Sequence, residues 1–284
     1  MRKLEAVDTS CEVFANDIIS ETSERLQPVY TGIQSKLKDL HDDYDAKFKY
    51  DDLQNVSKSS LSSNELSRYG ALYKADRNAI QELKFSVLKS DEGIYDDTCP
   101  ICGVGPANTI DHVVPEGDYP EYCIHPRNLI PLCSDCNGPK RTVFKTDTNE
   151  RAFWNNYLDV SPDKQFLFCD VAMVGNMPRG NFHIDNRNGI DNRVYSLIKR
   201  TFERMHVLER YNSSSSGKAY EKIKTMARHK IYDEEEVKEW LKDEIAGKDI
   251  NDYVAIYLGA LMSSKESMQW IMDTLSVLHV SMEK

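Results

Sequence analysis

The sequence predicts an α-rich α+β protein with helical regions at both ends and a small cysteine-clamped centre between them. Three observations carry this. Apolar residues recur at steps of three or four through residues 1–90 and again from Asp191 onward, the mark of helices that bury one face. Between these regions, "CPICGVGPANTIDHVVPEGDYPEYCIHPRNLIPLCSDCNGPKR", Cys99 to Arg141, holds two C-x-x-C pairs. Later, in Gln165 to Asp185, Phe166, Phe168 and Phe182 flank a turn rich in Gly, Asn and Pro, which reads as a β-hairpin or short strand pair. The expected organisation is a helical N-terminal region (1–90), a compact core (91–150) and a hairpin followed by helices (151–284).

Along the first region, Ile33, Leu37, Leu40, Tyr44 and Phe48 form one helical face. Pro28 sits where a first helical turn can begin, because its fixed φ suits that position. "SKSSLSSNE" (57–65) has no periodicity and reads as a loop. Helical spacing resumes through Leu66, Tyr69, Leu72, Tyr73, Ile80, Leu83 and Val87. Beyond the hairpin, Val194, Leu197, Ile198, Phe202, Met205 and Leu208 form a stripe that "NSSSSGK" (212–218) is expected to end. "DEEEVKEWL" opens with Asp233 and has Glu236 three residues later, close to a capping box. Met268, Ile271, Met272, Leu275 and Leu278 give the last segment one apolar face. No fixed-period repeat is visible, which argues against a solenoid.

Composition bounds the function. With 284 residues, 40% hydrophobic and 29% charged, the chain can bury proper cores and is not disordered. No run approaches 18 apolar residues, so no membrane span is expected. The N-terminus has basic residues without an apolar stretch behind them, so no secretory signal is expected either. Seven cysteines, four of them at metal-ligand spacing, predict an intracellular, cytoplasmic zinc protein rather than a disulfide framework. Cys11, Cys123 and Cys169 are expected to be ordinary thiols. A net charge of −10 repels nucleic acid, so contact with it needs a local basic patch or a partner that supplies the grip.

In the cysteine segment, each C-x-x-C turn puts two thiolates on one side of a tight loop, and Cys99, Cys102, Cys133 and Cys136 complete a zinc tetrahedron. A zinc ion saturated by four thiolates has no open position and does no chemistry itself. Between the two pairs stand Asp111 and His112, after "NTI", a stretch suited to a strand. Asn128 precedes the second pair and Asn137 directly follows its last cysteine.

The order Asp-His, then Asn-Leu, then C-x-x-C-Asn, inside two zinc knuckles, resembles the HNH endonucleases of the ββα-metal class. The third position is commonly histidine in that family and is Asn137 here. Junction-resolving phage endonucleases of the same class likewise place asparagine directly after the second knuckle. The resemblance implies a small zinc-stapled ββα-metal core between N- and C-terminal helical regions, and metal-dependent hydrolysis of phosphodiester bonds. DNA is the expected substrate, with RNA not excluded. Neutral His112 is then the general base. Asp111 and Asn137 are hard oxygen ligands for Mg²⁺ or Mn²⁺. Asn128 pins the loop that carries His112. A regular pleat would send the adjacent side chains of Asp111 and His112 to opposite faces. The resemblance implies a local distortion or turn that brings them together.

Other nearby groups have plainer readings. Lys140, Arg141 and Lys145 form the basic patch beside the site and are candidate phosphate contacts. Glu116, Asp118 and Glu121 read as solvated loop acids, with an outer contact to the metal as the alternative. His125 and His183 have no ligand-spaced partners.

The wording "DHVVP…YPEY…NLIPLCSDCN…K" is similar to a subset of HNH proteins in bacterial anti-phage defence, including the nuclease subunit of Septu-type systems, which works beside an ATPase. That similarity spans Cys99 to Arg141 and implies an ATPase partner subunit. Dimerising helical arms are a further expectation, since a two-strand cut often needs two sites. The competing reading is a non-catalytic zinc-knuckle adaptor that binds protein partners through its helices.

Overall fold

A computed structural model describes residues 1–89 and 93–282 of the chain; the boundary expected between 90 and 91 lies outside the described residues. The protein is an α-rich α+β structure with two small antiparallel hairpins. It divides into two compact units, Met1–Ser161 with Arg200–Met205, and Pro162–Lys199 with His206–Lys284. No helix among the described residues is long and apolar enough to cross a membrane.

The first unit begins with helices α1 (Cys11–Ser20), α2 (Gln27–Lys49), α3 (Ser63–Gly70) and α4 (Asn78–Val87). Pro28 lies in the first turn of α2, where its missing N–H is no loss. The serine-rich stretch is loop only as far as Ser62. There Ser62 Oγ accepts from Glu65 N while Glu65 Oε2 accepts from Ser62 N, a reciprocal capping box that starts α3. Strands β1 (Thr109–His112) and β2 (Leu129–Leu132) pair antiparallel, and α5 (Ser134–Lys140) follows directly. Phe14, Ile18 and Ile19 of α1, Ile33 and Leu37 of α2, and Ile80 and Leu83 of α4 share one apolar cluster with Ile110 of β1 and Leu129 of β2. The helices therefore form the back wall of the small hairpin.

The second unit is built around the hairpin of β3 (Leu167–Val174) and β4 (Met177–Ile184), turned at Gly175 with φ 61°. Helices α7 (Val207–Arg228), α8 (Glu234–Ile245), α9 (Tyr253–Ser263) and α10 (Lys265–Met282) belong to it. α6 (Asn192–Arg204) contributes its last residues to the first unit. Asp233 caps α8, accepting from Glu236 N at 2.9 Å. Phe182 packs edge-on to Tyr211 at 5.5 Å, and Tyr211 stacks on Tyr253 at 4.4 Å.

"NSSSSGK" does not end a helix: α7 runs through Asn212–Lys218, and the break falls at His206, whose φ is 51°. Ser213 and Ser214 donate back to Arg210 O within the helix, at 3.0 and 2.7 Å. Their hydroxyls are thus satisfied without unwinding the backbone. Asn212 Oδ1 accepts from Phe182 N at 2.7 Å and Ser216 Oγ donates to Pro178 O at 2.9 Å. The polar run is the face that grips β4, and tertiary bonding overrides its weak helix propensity.

Gly180 of β4 has no room for a side chain, since a Cβ there would lie 2.9 Å from Cys169 Sγ, 3.0 Å from Phe182 and 3.1 Å from Tyr257. Gly180→Ala is expected to destabilise the protein by about 1–3 kcal/mol, the usual cost of overpacking. Urea denaturation of both proteins, followed by far-UV circular dichroism, checks this; an unchanged midpoint would mean the rings yield freely.

Candidate active site

The four cysteines of the two knuckles converge. Their sulfur atoms lie within 4.8 Å of one another, all four residues are buried, and no disulfide joins them. Cys102 Sγ and Cys133 Sγ are 3.7 Å apart. Zn–S bonds of about 2.3 Å in a tetrahedron give edges of roughly 3.8 Å, so this pair already stands at zinc spacing. Gly103, with φ 63°, closes the first knuckle by donating to Cys99 O at 2.8 Å. Cys133 occupies the N-cap of α5, so the second knuckle is also the start of that helix. Hydrogen bonds among the four thiols pull Cys102 below the usual thiol range and push Cys99 and Cys136 above it.

Strand β1 leads from the first knuckle to Asp111 and His112. Its register is uninterrupted, with Asp111 opposite Ile130 and His112 opposite Leu129, so the pleat stays regular where a distortion was expected. The two side chains accordingly meet different neighbours. His112 Nε2 lies 2.9 Å from Cys123 O. A carbonyl only accepts, so Nε2 carries the proton and Nδ1 is the basic nitrogen. Tyr73 packs edge-on to the ring at 4.4 Å, and Glu116 Oε2 lies 3.6 Å from Nε2. Burial pushes the imidazole down to about 4, which leaves it neutral near pH 7.

Asn128 is fully buried and uses its whole hydrogen-bonding capacity. Its Oδ1 accepts from Val114 N at 2.7 Å and from Tyr44 OH at 3.0 Å. Its Nδ2 donates to Val114 O and Tyr122 O, both at 3.0 Å, while its backbone O accepts from Val113 N at 2.9 Å. These bonds tie the segment after His112 to the segment before β2.

The opposite face of β1 meets α5. Asn137 Nδ2 donates to Thr109 Oγ1 and Ile110 O, both at 3.2 Å, which leaves Oδ1 as the free end of the amide. Asp111 is 7% exposed and its Oδ1 lies 3.0 Å from Lys140 Nζ. One carboxylate and one amide oxygen suit Mg²⁺ or Mn²⁺, ions that take few protein oxygens and keep waters. Lys140 is not a surface cation beside Arg141 and Lys145: it is 4% exposed and points inward, because Asp111 and the carbonyls ending β1 supply its acceptors. Arg141 and Lys145 are exposed. Among the loop acids, Glu121 is buried and its Oε1 accepts from Ser59 N at 2.7 Å, whereas Glu116 and Asp118 are exposed. His183 lies in the second unit, 3.6 Å from Asp170, and His125 is buried against Tyr44 at 4.1 Å.

The contribution of α2 is absent from the motif. His41 Nε2 donates to Glu121 O at 2.8 Å, and its Nδ1 lies 3.3 Å from both Gln34 Nε2 and Cys11 Sγ. Asp45 accepts from Arg127 at 2.6 Å. Together with Tyr44, these residues tether the Glu121–Asn128 segment whose Cys123 carbonyl orients His112. Their signal was available in part: Leu37, His41 and Tyr44 fall on one helical face, where a polar residue amid apolar ones asks for a partner.

No family model matches the chain, and no solved structure matches it. Over 86 residues it is 37% identical to the protein ea31 of Escherichia phage lambda, covering 30% of this chain and 27% of that protein. Over 88 residues it is 28% identical to the Septu protein PtuB of Bacillus thuringiensis, covering 30% of this chain and 33% of that one. The similarity thus spans about a third or less of these relatives.

Proposed function

We propose that the chain is a metal-dependent HNH endonuclease that hydrolyses phosphodiester bonds in DNA, and that it is the nuclease effector of an anti-phage defence system acting with an ATPase partner. The observation that carries this reading is a buried, tautomer-fixed imidazole at the end of the strand that leads away from a buried four-cysteine cluster. The partial similarity to a Septu protein supports the defence role.

On this reading, zinc at Cys99, Cys102, Cys133 and Cys136 is structural. His112 Nδ1 takes the proton of the attacking water, and Asn128 pins the segment that follows the base. Asp111 and Asn137 would hold Mg²⁺ or Mn²⁺, which neutralises charge on the scissile phosphate and the leaving 3′ oxygen when bound. Because Asp111 and His112 leave β1 on opposite faces, the end of β1 has to turn for the ion and the base to meet one phosphate. Arg141 and Lys145 are the surface cations near α5 that would meet phosphates. A chain of net charge −10 has little long-range attraction for DNA, which favours a partner that delivers it.

Three outcomes follow. Zinc-loaded protein with Mn²⁺ or Mg²⁺ nicks or linearises supercoiled plasmid, and His112→Ala, with equal zinc content, is slower by about 10²–10⁴-fold. Equal cutting by the variant would remove His112 from the base role; zinc-loaded wild type that cuts nothing, even with its ATPase, would favour the adaptor. Cys102→Ser is expected to lose zinc and, with it, amide protection across β1 and β2, because metal binding and folding of such sites are coupled; hydrogen exchange read by mass spectrometry tests this. Tyr44→Phe removes one donor from Asn128 and costs about 1 kcal/mol, whereas Asn128→Ala strands Val114 N and Tyr44 OH and costs roughly 2–4 kcal/mol. Urea titrations rank the two, and the reverse order would contradict the bonding described.

A further inference from the structure

The Lys140 ammonium has the environment of a bound cation. It lies 3.0 Å from Asp111 Oδ1, 2.6 Å from His112 O and 3.5 Å from Val113 O, one carboxylate and two main-chain oxygens gathered around a single positive charge. Lysine and aspartate side chains are 5% and 9% exposed. Lys140 is three residues beyond Asn137, on the same side of α5, and Thr109 and Asp111 share the face of β1 that receives them both. Buried lysines are rare unless paired, since desolvating an ammonium is costly. Here the pairing partner is the carboxylate assigned above to the divalent ion.

We propose that Lys140 is a resident cation of the Asp111–Asn137 site, holding the carboxylate and the end of β1 in place and sharing Asp111 with the divalent ion. This rests on the nuclease reading of Asp111. Two consequences differ in sign. The fixed positive charge repels an incoming Mg²⁺ or Mn²⁺, so the site binds the ion weakly and leaves much of its charge for phosphate. The same ammonium ties the His112 and Val113 carbonyls to α5, so the strand that carries the base is set before any ion arrives. Lys140 is thus a positioning residue: it acts through Asp111 and the β1 backbone.

The test is Mn²⁺ binding to the zinc-loaded full chain, read by electron paramagnetic resonance of the free ion, for wild type, Lys140→Met and Asp111→Asn. Lys140→Met leaves Asp111 buried and uncompensated, so Mn²⁺ should bind about tenfold more tightly or better, while plasmid cleavage at saturating Mn²⁺ falls. A merely structural lysine would not raise affinity on removal. Unchanged or weaker binding by Lys140→Met, with binding still abolished by Asp111→Asn, overturns the resident-cation proposal and leaves the nuclease reading standing. Binding that Asp111→Asn does not alter overturns the placement of the ion at Asp111, and both fall together. Should Lys140→Met lose zinc, Lys140→Gln, which keeps a donor without the charge, is measured instead; if it too loses zinc, the lysine is a structural tie and the proposal fails.

Discussion

The structure depends on four thiolates being drawn to one point. β1 and β2 are four residues each, and a two-stranded pair of that size is marginal at best in water. Thirty residues separate Cys102 from Cys133, and the clamp closes that excursion at its base. Structural zinc binding is worth roughly 10–16 kcal/mol in small sites near neutral pH, far above what a short ladder supplies. β1 leaves the first knuckle, β2 enters the second, and α5 starts on Cys133 itself. The cysteine cluster therefore helps to fix where Asp111 and Asn137 stand relative to each other, although neither belongs to it.

The clamp sets the base of the loop; a buried polar network sets its far end. Asn128 alone takes four side-chain hydrogen bonds there. Such networks specify one arrangement because each unmade bond in a low-dielectric interior is costly. α2 supplies the outer tier through Gln34, His41, Tyr44 and Asp45. The Tyr69 hydroxyl donates to Gln34 Oε1, which brings the end of α3 into the same network. This is why a helix far from the motif in sequence bears on the orientation of His112. The Cys123 carbonyl that selects the imidazole tautomer is held between tethers at Glu121 and Asn128.

Much of this was legible in the chain itself. Cysteine spacing is a direct statement of metal geometry, and it predicted the clustered sulfurs. The stripe from Ile33 to Phe48 predicted α2, and the aromatic-flanked turn predicted the β3–β4 hairpin. What escaped has a common physical cause: a sequence gives each side chain's chemistry without saying what faces it. Ser213 to Ser216 read as a break only if their hydroxyls face water, whereas they are spent on α7 and β4. Lys140 read as a surface cation beside Arg141 for the same reason, and only the placement of Asp111 opposite it turns it inward. The regular pleat at Asp111 and His112 is the case where the residues themselves spoke more accurately than the resemblance, since alternation is a property of any undistorted strand.

The charge balance is then best understood locally. Of the three cations that follow the second knuckle, one is consumed inside by Asp111, so the outer surface near α5 keeps Arg141 and Lys145. Salt screens charge beyond about 8–10 Å, so the net −10 matters little once a phosphate has reached these two. It matters for the approach, where summed charge governs the rate of encounter. On the nuclease reading the chain is thus equipped for the chemistry and poorly equipped for the search. On that same reading, a partner subunit that finds DNA would supply the attraction that the charge of this chain cannot.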